Sequence, residues 1–253
     1  MSLKFDIARA LGYPYPAPTD DFVLRAGVAE RFDSSVSLIH RTPVLAVGSN
    51  RAPEQLRRKF GDHTVVPVTV ARLADHDVVY SAHMASYGSI PATLAPSPGS
   101  VVTVSLTWLT PAQLHHMHKT EAVGVNYDYA VAEALPIEPV AGRPSVPIGC
   151  YLGRRGAVTF DGAPLALTEI HATNRRFRSL SQSEMLARVH ASVAGPKALA
   201  DWLNGLIEDR GARQGLTETL AALYSQPINL PAFSIRDEGL LYPNGTGKYE
   251  GAS

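Results

Sequence analysis

The most informative segment of the sequence is Val44-Leu45-Ala46-Val47-Gly48-Ser49-Asn50-Arg51-Ala52-Pro53. It begins with a short apolar run of the kind that forms a buried strand. Glycine and polar residues follow, and Pro53 stands where the first residue of a helix would. The stretch therefore predicts a strand, a tight loop and a helix over residues 53–60. Backbone amides of such a loop can converge on an oxygen atom near the helix N-terminus, although a turn that merely requires glycine fits the same pattern.

A second helix is predicted from Thr110-Pro111-Ala112-Gln113, which has a capping hydroxyl, a proline at the first helical position and a glutamine at the third. The helix extends to Glu121. Leu114 and Met117 precede this glutamate by seven and four residues, which places it on or beside the inward face. A carboxylate there is unfavourable unless it is paired or acts in catalysis, for example as a general base. An exposed glutamate at a helix end is the alternative.

The composition excludes several classes of function. The 253 residues are 45% hydrophobic and 18% charged, which is typical of a chain that buries a core. The 23 Lys and Arg residues balance 23 Asp and Glu residues, so we expect no nucleic-acid partner. Cys150 is the single cysteine and the N-terminal residues lack the apolar run of a signal peptide, so the predicted location is cytoplasmic. The longest apolar candidate, 101–109, has hydroxyl residues at alternate positions and predicts a strand, so no membrane association is expected.

The chain divides into three predicted regions. Residues 1–40 form an N-terminal arm that is interrupted by prolines, with a short helix predicted over 20–32. Residues 41–165 are dominated by strand patterns, and residues 166–253 form a mainly helical extension. The strand patterns of the middle region include 65–73, 77–82, 101–109 and 127–132, with a Gly/Pro-rich stretch at 88–99.

Three other groups of residues are candidates for chemistry, and each has a simpler structural explanation. His118 and Glu121 are three residues apart, but no Cys/His cluster completes a coordination shell, so no metal is predicted. The run Arg175-Arg176-Phe177-Arg178 is expected to be a solvated basic surface rather than an anion site. Cys150 has no activating neighbour in the sequence. Nucleotide-binding motifs are absent from the sequence, and no cofactor is expected.

The ordered series of motifs resembles the gamma-glutamylcyclotransferase family. The matching stretches are VLAVGSNRAPEQL, IPATLAPSPGSVVTVSLTWLTPAQLHHMHKTEA, VNYDYA and IGCYLG. The family pattern has a strand that ends in Y-G-S-N or Y-G-S-L, a proline-started helix, and a later helix that delivers a glutamate followed by glycine. Here Val47 replaces the tyrosine and Ala122 replaces the glycine, and these departures leave the identity of the substrate open.

The resemblance implies an α+β fold, a small mixed β-barrel with flanking helices. It also implies an intramolecular acyl transfer that converts a γ-glutamyl amide to 5-oxoproline and a free amine, with no cofactor or metal. In this reaction Glu121 takes the role of the catalytic acid and base. The substrate-binding residues that the resemblance implies are Val47, Gly48, Ser49, Asn50, Tyr127 and Tyr151.

Two other functions stay open. Water could attack in the same pocket, giving an amide or ester hydrolase for another small molecule, and Val47 and the added helices motivate this alternative. A noncatalytic module that binds a partner or stabilises an assembly is the third hypothesis. It predicts that Glu121 is exposed to solvent or that the N-terminal arm fills the pocket. For either enzyme the partner is a small molecule, and a homodimer is left open.

Overall fold

The fold is a mixed α+β structure in which helices flank one large sheet. The computed structural model describes residues 3–33, 35–139 and 147–236; the last part of the predicted C-terminal extension lies outside this range. The helices are α1 (Leu3–Leu11), α2 (Pro53–Phe60), α3 (Pro111–Thr120), α4 (Gln182–Val193), α5 (Leu199–Glu208) and α6 (Arg210–Leu223), with a 3₁₀ turn at Ser49–Arg51. The strands are β1 (Phe22–Arg25), β2 (Val28–Arg31), β3 (Thr42–Ala46), β4 (Val65–Tyr80), β5 (Ala92–Leu109), β6 (Tyr127–Ala132), β7 (Ile137–Pro139), β8 (Ile148–Gly153), β9 (Ala157–Phe160), β10 (Ala163–Pro164), β11 (Ala166–Leu167), β12 (Ala172–Thr173), β13 (Ser179–Leu180), β14 (Ser225–Gln226) and β15 (Ser234–Ile235).

The two helices that bear on the site form as their sequences predict. Helix α2 has a proline in its first turn and ends at Gly61, whose φ of 77° is readily adopted only by glycine. Helix α3 begins at a capping box, in which Thr110 and Gln113 satisfy each other's backbone N–H groups. Its C-terminal cap is Glu121. The predicted ends of both helices are therefore confirmed.

A long antiparallel hairpin of β4 and β5 forms the centre of the sheet. The register shifts between Ala74 and His76, and Asp75 between them has a left-handed backbone with φ 59°. This irregularity is a bulge in which four residues of β5, 97–100, lie opposite Asp75 alone, and it interrupts the ladder without ending either strand. The prediction of two separate strands at 65–73 and 77–82 is wrong for this reason, because the polar residues at the bulge interrupt the alternation.

The Gly/Pro-rich stretch at 88–99 is also part of this hairpin, since β5 begins at Ala92. Pro96 pairs opposite His76, the residue that follows the bulge. Proline cannot donate a ladder hydrogen bond and is tolerated in strands at such irregular positions. The strand predicted over 101–109 therefore begins nine residues earlier, at Ala92.

The sheet is mixed, with strands in the order β13-β11-β4-β5-β3-β8-β6-β15. Strands β3 and β8 are parallel, as are β11 and β13, and the other neighbours along this path are antiparallel. Within the described residues the path is open at β13 and β15, so the closed barrel that the resemblance implies is not detected. Closure depends on strand tilt and long-range register, which local alternation does not encode.

The helix predicted over 20–32 is instead a β-hairpin of β1 and β2. Phe22, Val23 and Leu24 are all buried in succession, and β1 also pairs with β4. The turn is Ala26-Gly27, where both residues have positive φ. The apolar spacing is near a helical period, but pairing with the central hairpin overrides the local preference.

The main apolar core joins the sheet to the N-terminal segment and to helices α4, α5 and α6. Tyr13 from the predicted arm belongs to it, together with Val47, and Ile7 packs against it. Helices α4, α5 and α6 contribute further side chains to the same core, including Leu186, Leu203 and Leu220. None of the helices in the described ranges is long and apolar enough to cross a membrane.

Candidate functional site

A cavity of about 550 Å³ lies between the loop after β3, helix α2, the end of helix α3 and the start of β5. It brings together residues that are far apart in the sequence, including all seven predicted site residues. The side chains and backbone that form its wall include Tyr13, Val47, Gly48, Ser49, Asn50, Gln55, Lys59, His83, Tyr87, Glu121, Tyr127 and Tyr151.

Glu121 lies at the end of α3 and faces this cavity. Its side chain is 13% exposed, so the alternative of a glutamate in open solvent is wrong. The carboxylate oxygen Oε1 accepts a hydrogen bond from Asn50 Nδ2 at 3.0 Å and forms an ion pair with Lys59. Within the described residues the other oxygen, Oε2, makes no hydrogen bond. One oxygen is thus held by the protein while the other is left for a ligand.

Lys59 was not among the predicted site residues, although its side chain is only 7% exposed. Sequence reasoning places it with other basic residues in the last turn of α2, where cations favour the helix dipole. Its contact with Glu121 depends on how α2 packs against α3. The sequence carries no signal for the packing angle between these two helices, so Lys59 could not be predicted as the partner of Glu121.

The loop after β3 is held by contacts at both ends. Ser49–Arg51 form the 3₁₀ turn, and Thr107 on β5 donates its hydroxyl to the carbonyl oxygen of Asn50 at 3.1 Å. The phenolic oxygen of Tyr13 packs so closely on Gly48 that an added Cβ would collide with it. The same oxygen accepts a hydrogen bond from the Ala92 N–H at 2.8 Å. Glycine is therefore needed here for close packing of the N-terminal segment, and not for a left-handed backbone.

Two acceptors in the cavity wall are buried without a partner in the described part of the chain. These are the side-chain oxygens Oδ1 of Asn50 and Oε1 of Gln55. Burial of an unsatisfied acceptor is unfavourable by about 1–3 kcal/mol. Gln55 precedes Lys59 by four residues on α2, which puts both on one side of that helix. Both acceptors are suited to a ligand that presents N–H groups.

The two predicted tyrosines line the cavity and hold their neighbours in place. Tyr127 donates its hydroxyl to the Ala92 carbonyl at 3.1 Å, and burial raises the pKa of its phenol well above the ordinary value. Tyr151 Oη is hydrogen-bonded to Nδ1 of His118 at 2.9 Å. His118 is buried, and its side chain contacts Tyr151 instead of joining Glu121 as a metal ligand. The described residues contain no group of three or more His, Cys, Asp or Glu side chains that could hold a metal ion.

His83 is a further wall residue that sequence reasoning missed. Burial lowers the pKa of its imidazole to about 3, so the ring is neutral near pH 7. Its Nδ1 is 3.0 Å from the hydroxyl oxygen of Ser81, and its ring contacts Tyr127 edge-on at 5.1 Å. His83 lies three residues after the end of β4, and no motif in the sequence marks it.

The other candidates from the sequence lie elsewhere. Arg175 is not part of a solvated surface, because it binds the fully buried carboxylate of Asp77 through two hydrogen bonds of 2.9 and 3.0 Å. Its partner is 98 residues away in the chain, and local charge clustering gave no sign of it. Cys150 is fully buried, and burial raises the pKa of its thiol to about 12. Such a thiol is not a nucleophile near neutral pH.

Comparison with known proteins finds similarity in structure alone. No protein-family model matches the sequence, and no curated protein matches it. A solved structure called gamma-glutamyl cyclotransferase is 15% identical over 78% of this chain and 95% of that chain, with a TM-score of 0.37. An uncharacterized protein from Homo sapiens is 14% identical over 79% of this chain and 95% of that chain, with a TM-score of 0.38. A protein from Arabidopsis thaliana is 16% identical over 63% of this chain and 89% of that chain, with a TM-score of 0.36.

Proposed function

We propose that this protein is a gamma-glutamylcyclotransferase-like enzyme that converts a γ-glutamyl amide to 5-oxoproline and a free amine. The observation that carries the proposal is the meeting of Glu121 and the Gly48–Asn50 loop in one cavity. The motif resemblance in the sequence leads independently to these same residues. The noncatalytic alternative is weakened, because Glu121 is largely buried and Tyr13 lines the cavity without filling it.

The reaction needs no covalent intermediate with the protein. The α-amine of the substrate attacks its own γ-carbonyl carbon, and the bond between that carbon and the leaving nitrogen breaks. Because the nucleophile and the carbonyl belong to one molecule, correct folding of the substrate supplies much of the rate enhancement. The cavity therefore has to bind one conformer and manage protons.

Glu121 is suited to proton transfer by the way its two oxygens are held. Asn50 and Lys59 fix Oε1, and the lysine ammonium stabilises the negative charge that a general base carries. Oε2 then takes a proton from the α-ammonium group and returns it to the leaving amine. Backbone amides of the Gly48–Asn50 loop are proposed to stabilise the oxyanion, a contribution of about 3 kcal/mol for one well-placed donor.

The unsatisfied acceptors of the wall match the donors of such a substrate. A γ-glutamyl amide presents an α-ammonium group and an amide N–H. Asn50 Oδ1 and Gln55 Oε1 are buried acceptors that gain partners when such a ligand binds. We propose Gln55 as a substrate-positioning residue on this basis.

The proposal is tested by incubating the purified protein with a panel of γ-glutamyl amides and identifying the products by mass spectrometry. The panel contains glutathione, γ-glutamyl dipeptides with small and large leaving amino acids, and a γ-glutamyl alkylamide. We expect 5-oxoproline and the free amine from at least one of them. A panel without turnover, under conditions where the protein is folded, would contradict the proposal.

Hydrolysis is the second candidate, and Val47 is the observation that favours it. This buried residue lines the cavity where the family pattern has a tyrosine, so the hydroxyl expected there is missing. A changed pocket could admit water as the nucleophile. The same product analysis separates the two reactions, because hydrolysis releases an open-chain acid in place of the cyclic lactam.

A further inference from the structure

A second cavity, of about 620 Å³, lies beside the proline-rich part of the N-terminal segment. It shares no wall residue with the first cavity. Part of its wall is the segment that contains Pro14, Pro16 and Pro18, and another part is the face of β4 and β5 that carries Val70, Thr103 and Ser105. The proposed enzymatic reaction makes no use of these residues.

Arg51 is the arginine that lines this second cavity. In the described part of the chain, its guanidinium makes no hydrogen bond and no ion pair, although much of the side chain is buried. Burial lowers the pKa of this guanidinium. Glu169 also lines the cavity, but it is exposed and accepts the backbone N–H of Gln182 at 3.0 Å. Partial burial removes some of the water that would solvate this cation, and an anionic ligand would offset that cost.

Two hydroxyl groups lie on the same wall as this guanidinium. Thr103 and Ser105 are two residues apart on β5, so both side chains point to one face of the sheet. Ser105 is 4% exposed. Within the described ranges neither hydroxyl makes a hydrogen bond, so both are available as donors.

We propose that this cavity binds the oxyanion group of a small molecule, a carboxylate or a phosphate. Arg51 supplies the charge and a planar pair of N–H donors, which match two oxygens of such a group. Thr103 and Ser105 donate to the remaining oxygen positions. The proline side of the cavity contacts the apolar part of the ligand. Arg51 directly follows Asn50, so the 3₁₀ turn presents one side chain to each cavity.

Isothermal titration calorimetry with two probes at constant ionic strength tests this site. The probes are inorganic phosphate and benzoate, an apolar carboxylate, with chloride as the balancing anion. We expect one-site binding of at least one probe, weakened at least tenfold by Arg51→Gln. The matched control Arg210→Gln removes an exposed arginine on α6 and should leave the affinity within twofold. Binding of phosphate alone identifies a phosphate site, and binding of benzoate identifies a carboxylate site.

Two variants separate this site from the first cavity and from a folding defect. Lys59→Gln should bind the probe like the wild type, whereas loss of binding in Lys59→Gln with retention in Arg51→Gln would overturn the proposal. So would the absence of saturable binding of either probe to the wild type.

Arg51→Gln should melt no lower than the wild type without ligand, because it removes an unpaired charge. If it fails to fold, Ser105→Ala serves instead and should weaken binding at least twofold. Calorimetry does not depend on turnover, so the outcome is independent of the proposed reaction.

Discussion

At the scale of single residues, the proposed reaction depends on the different environments of the two carboxylate oxygens of Glu121. One oxygen is held by Asn50 and Lys59, and the other faces the cavity without a hydrogen bond among the described residues. The spacing of apolar residues in α3 placed this glutamate on or beside the inward face, but an exposed glutamate at the helix end fitted the same spacing. Its ion-pair partner could not be predicted in the same way, because Lys59 meets it only through the packing of α2.

Replacing the base without changing its shape tests its role. Glu121→Gln should lower kcat at least a hundredfold, because general acid–base catalysis contributes about 10²–10⁴ in rate. Substrate affinity should change little, since the amide still fills the same space. The measurement is steady-state kinetics together with calorimetric binding. Glu208→Gln, an exposed glutamate on α5, is the matched control and should behave as the wild type. Retention of more than a tenth of the rate in Glu121→Gln would remove this residue from its role.

The buried amide of Gln55 gives a prediction that separates binding from stability. Gln55→Leu removes an unsatisfied acceptor, so the free energy of unfolding should stay the same or rise by about 1 kcal/mol. Substrate binding should weaken about tenfold, which is a loss of about 1.4 kcal/mol. Urea unfolding and KM measurements check the two effects. Gln214→Leu, on the exposed side of α6, should change neither quantity substantially. Unchanged KM in Gln55→Leu would exclude the positioning role.

At the scale of elements, the loop after β3 is supported by the N-terminal segment as well as by α2. The motif in the sequence was sufficient to predict the strand, the loop and the helix. It gave no sign that Tyr13, thirty-five residues before Gly48, would pack against the loop. The β1–β2 hairpin shows the same limit, because its pairing with β4 decided its structure against the helical spacing.

A double-mutant cycle tests the contact between the loop and this segment. Gly48→Ala should lower the free energy of unfolding by about 1–3 kcal/mol, because the added methyl group collides with the phenolic oxygen of Tyr13. Tyr13→Phe should be destabilising by a similar amount, since the buried Ala92 N–H loses its acceptor. The double variant should lose less than the sum of the two, because each change disrupts the same oxygen. Urea unfolding of the four proteins measures the coupling, and strict additivity would contradict the described contact.

At the scale of the whole molecule, the pH dependence of stability reports on burial of the site. The unfolded chain protonates His83 below about pH 6.5, whereas burial holds the pKa of the folded residue at about 3. The unfolded state therefore binds more protons in this window. The contribution of His83 to the free energy of unfolding is fully present above about pH 6.5. It falls by about 1.4 kcal/mol for each pH unit as the pH decreases toward 3.

The pH prediction is checked by urea unfolding of the wild type and His83→Gln between pH 7 and pH 4. The difference in unfolding free energy between the two proteins should shift in favour of the variant as the pH falls. Comparing the pH dependence, rather than the absolute stability, removes the effect of the lost contact with Ser81. A difference that stays constant over this window would show that His83 is not held neutral by burial.

The whole sheet was the least predictable part of the molecule. Local patterns predicted parts of β3, β4, β5 and β6, but the open path from β13 to β15 among the described residues replaces the closed barrel that was expected. The ion pair between Arg175 and Asp77 was missed for a related reason, since it links distant parts of the chain. Long-range pairing decides both features, and a local pattern does not contain it.

Ring closure in the cavity is the central step of the proposed reaction, and labelled water tests that step directly. In H₂¹⁸O the predicted reaction gives 5-oxoproline without ¹⁸O, because the γ-carbonyl oxygen of the substrate is retained when the α-amine attacks. Authentic 5-oxoproline incubated under the same conditions corrects for exchange. Mass spectrometry of the first turnovers should show the unlabelled lactam and the free amine. Glutamate that carries one ¹⁸O atom in its carboxylate would contradict the account, because water would then be the nucleophile.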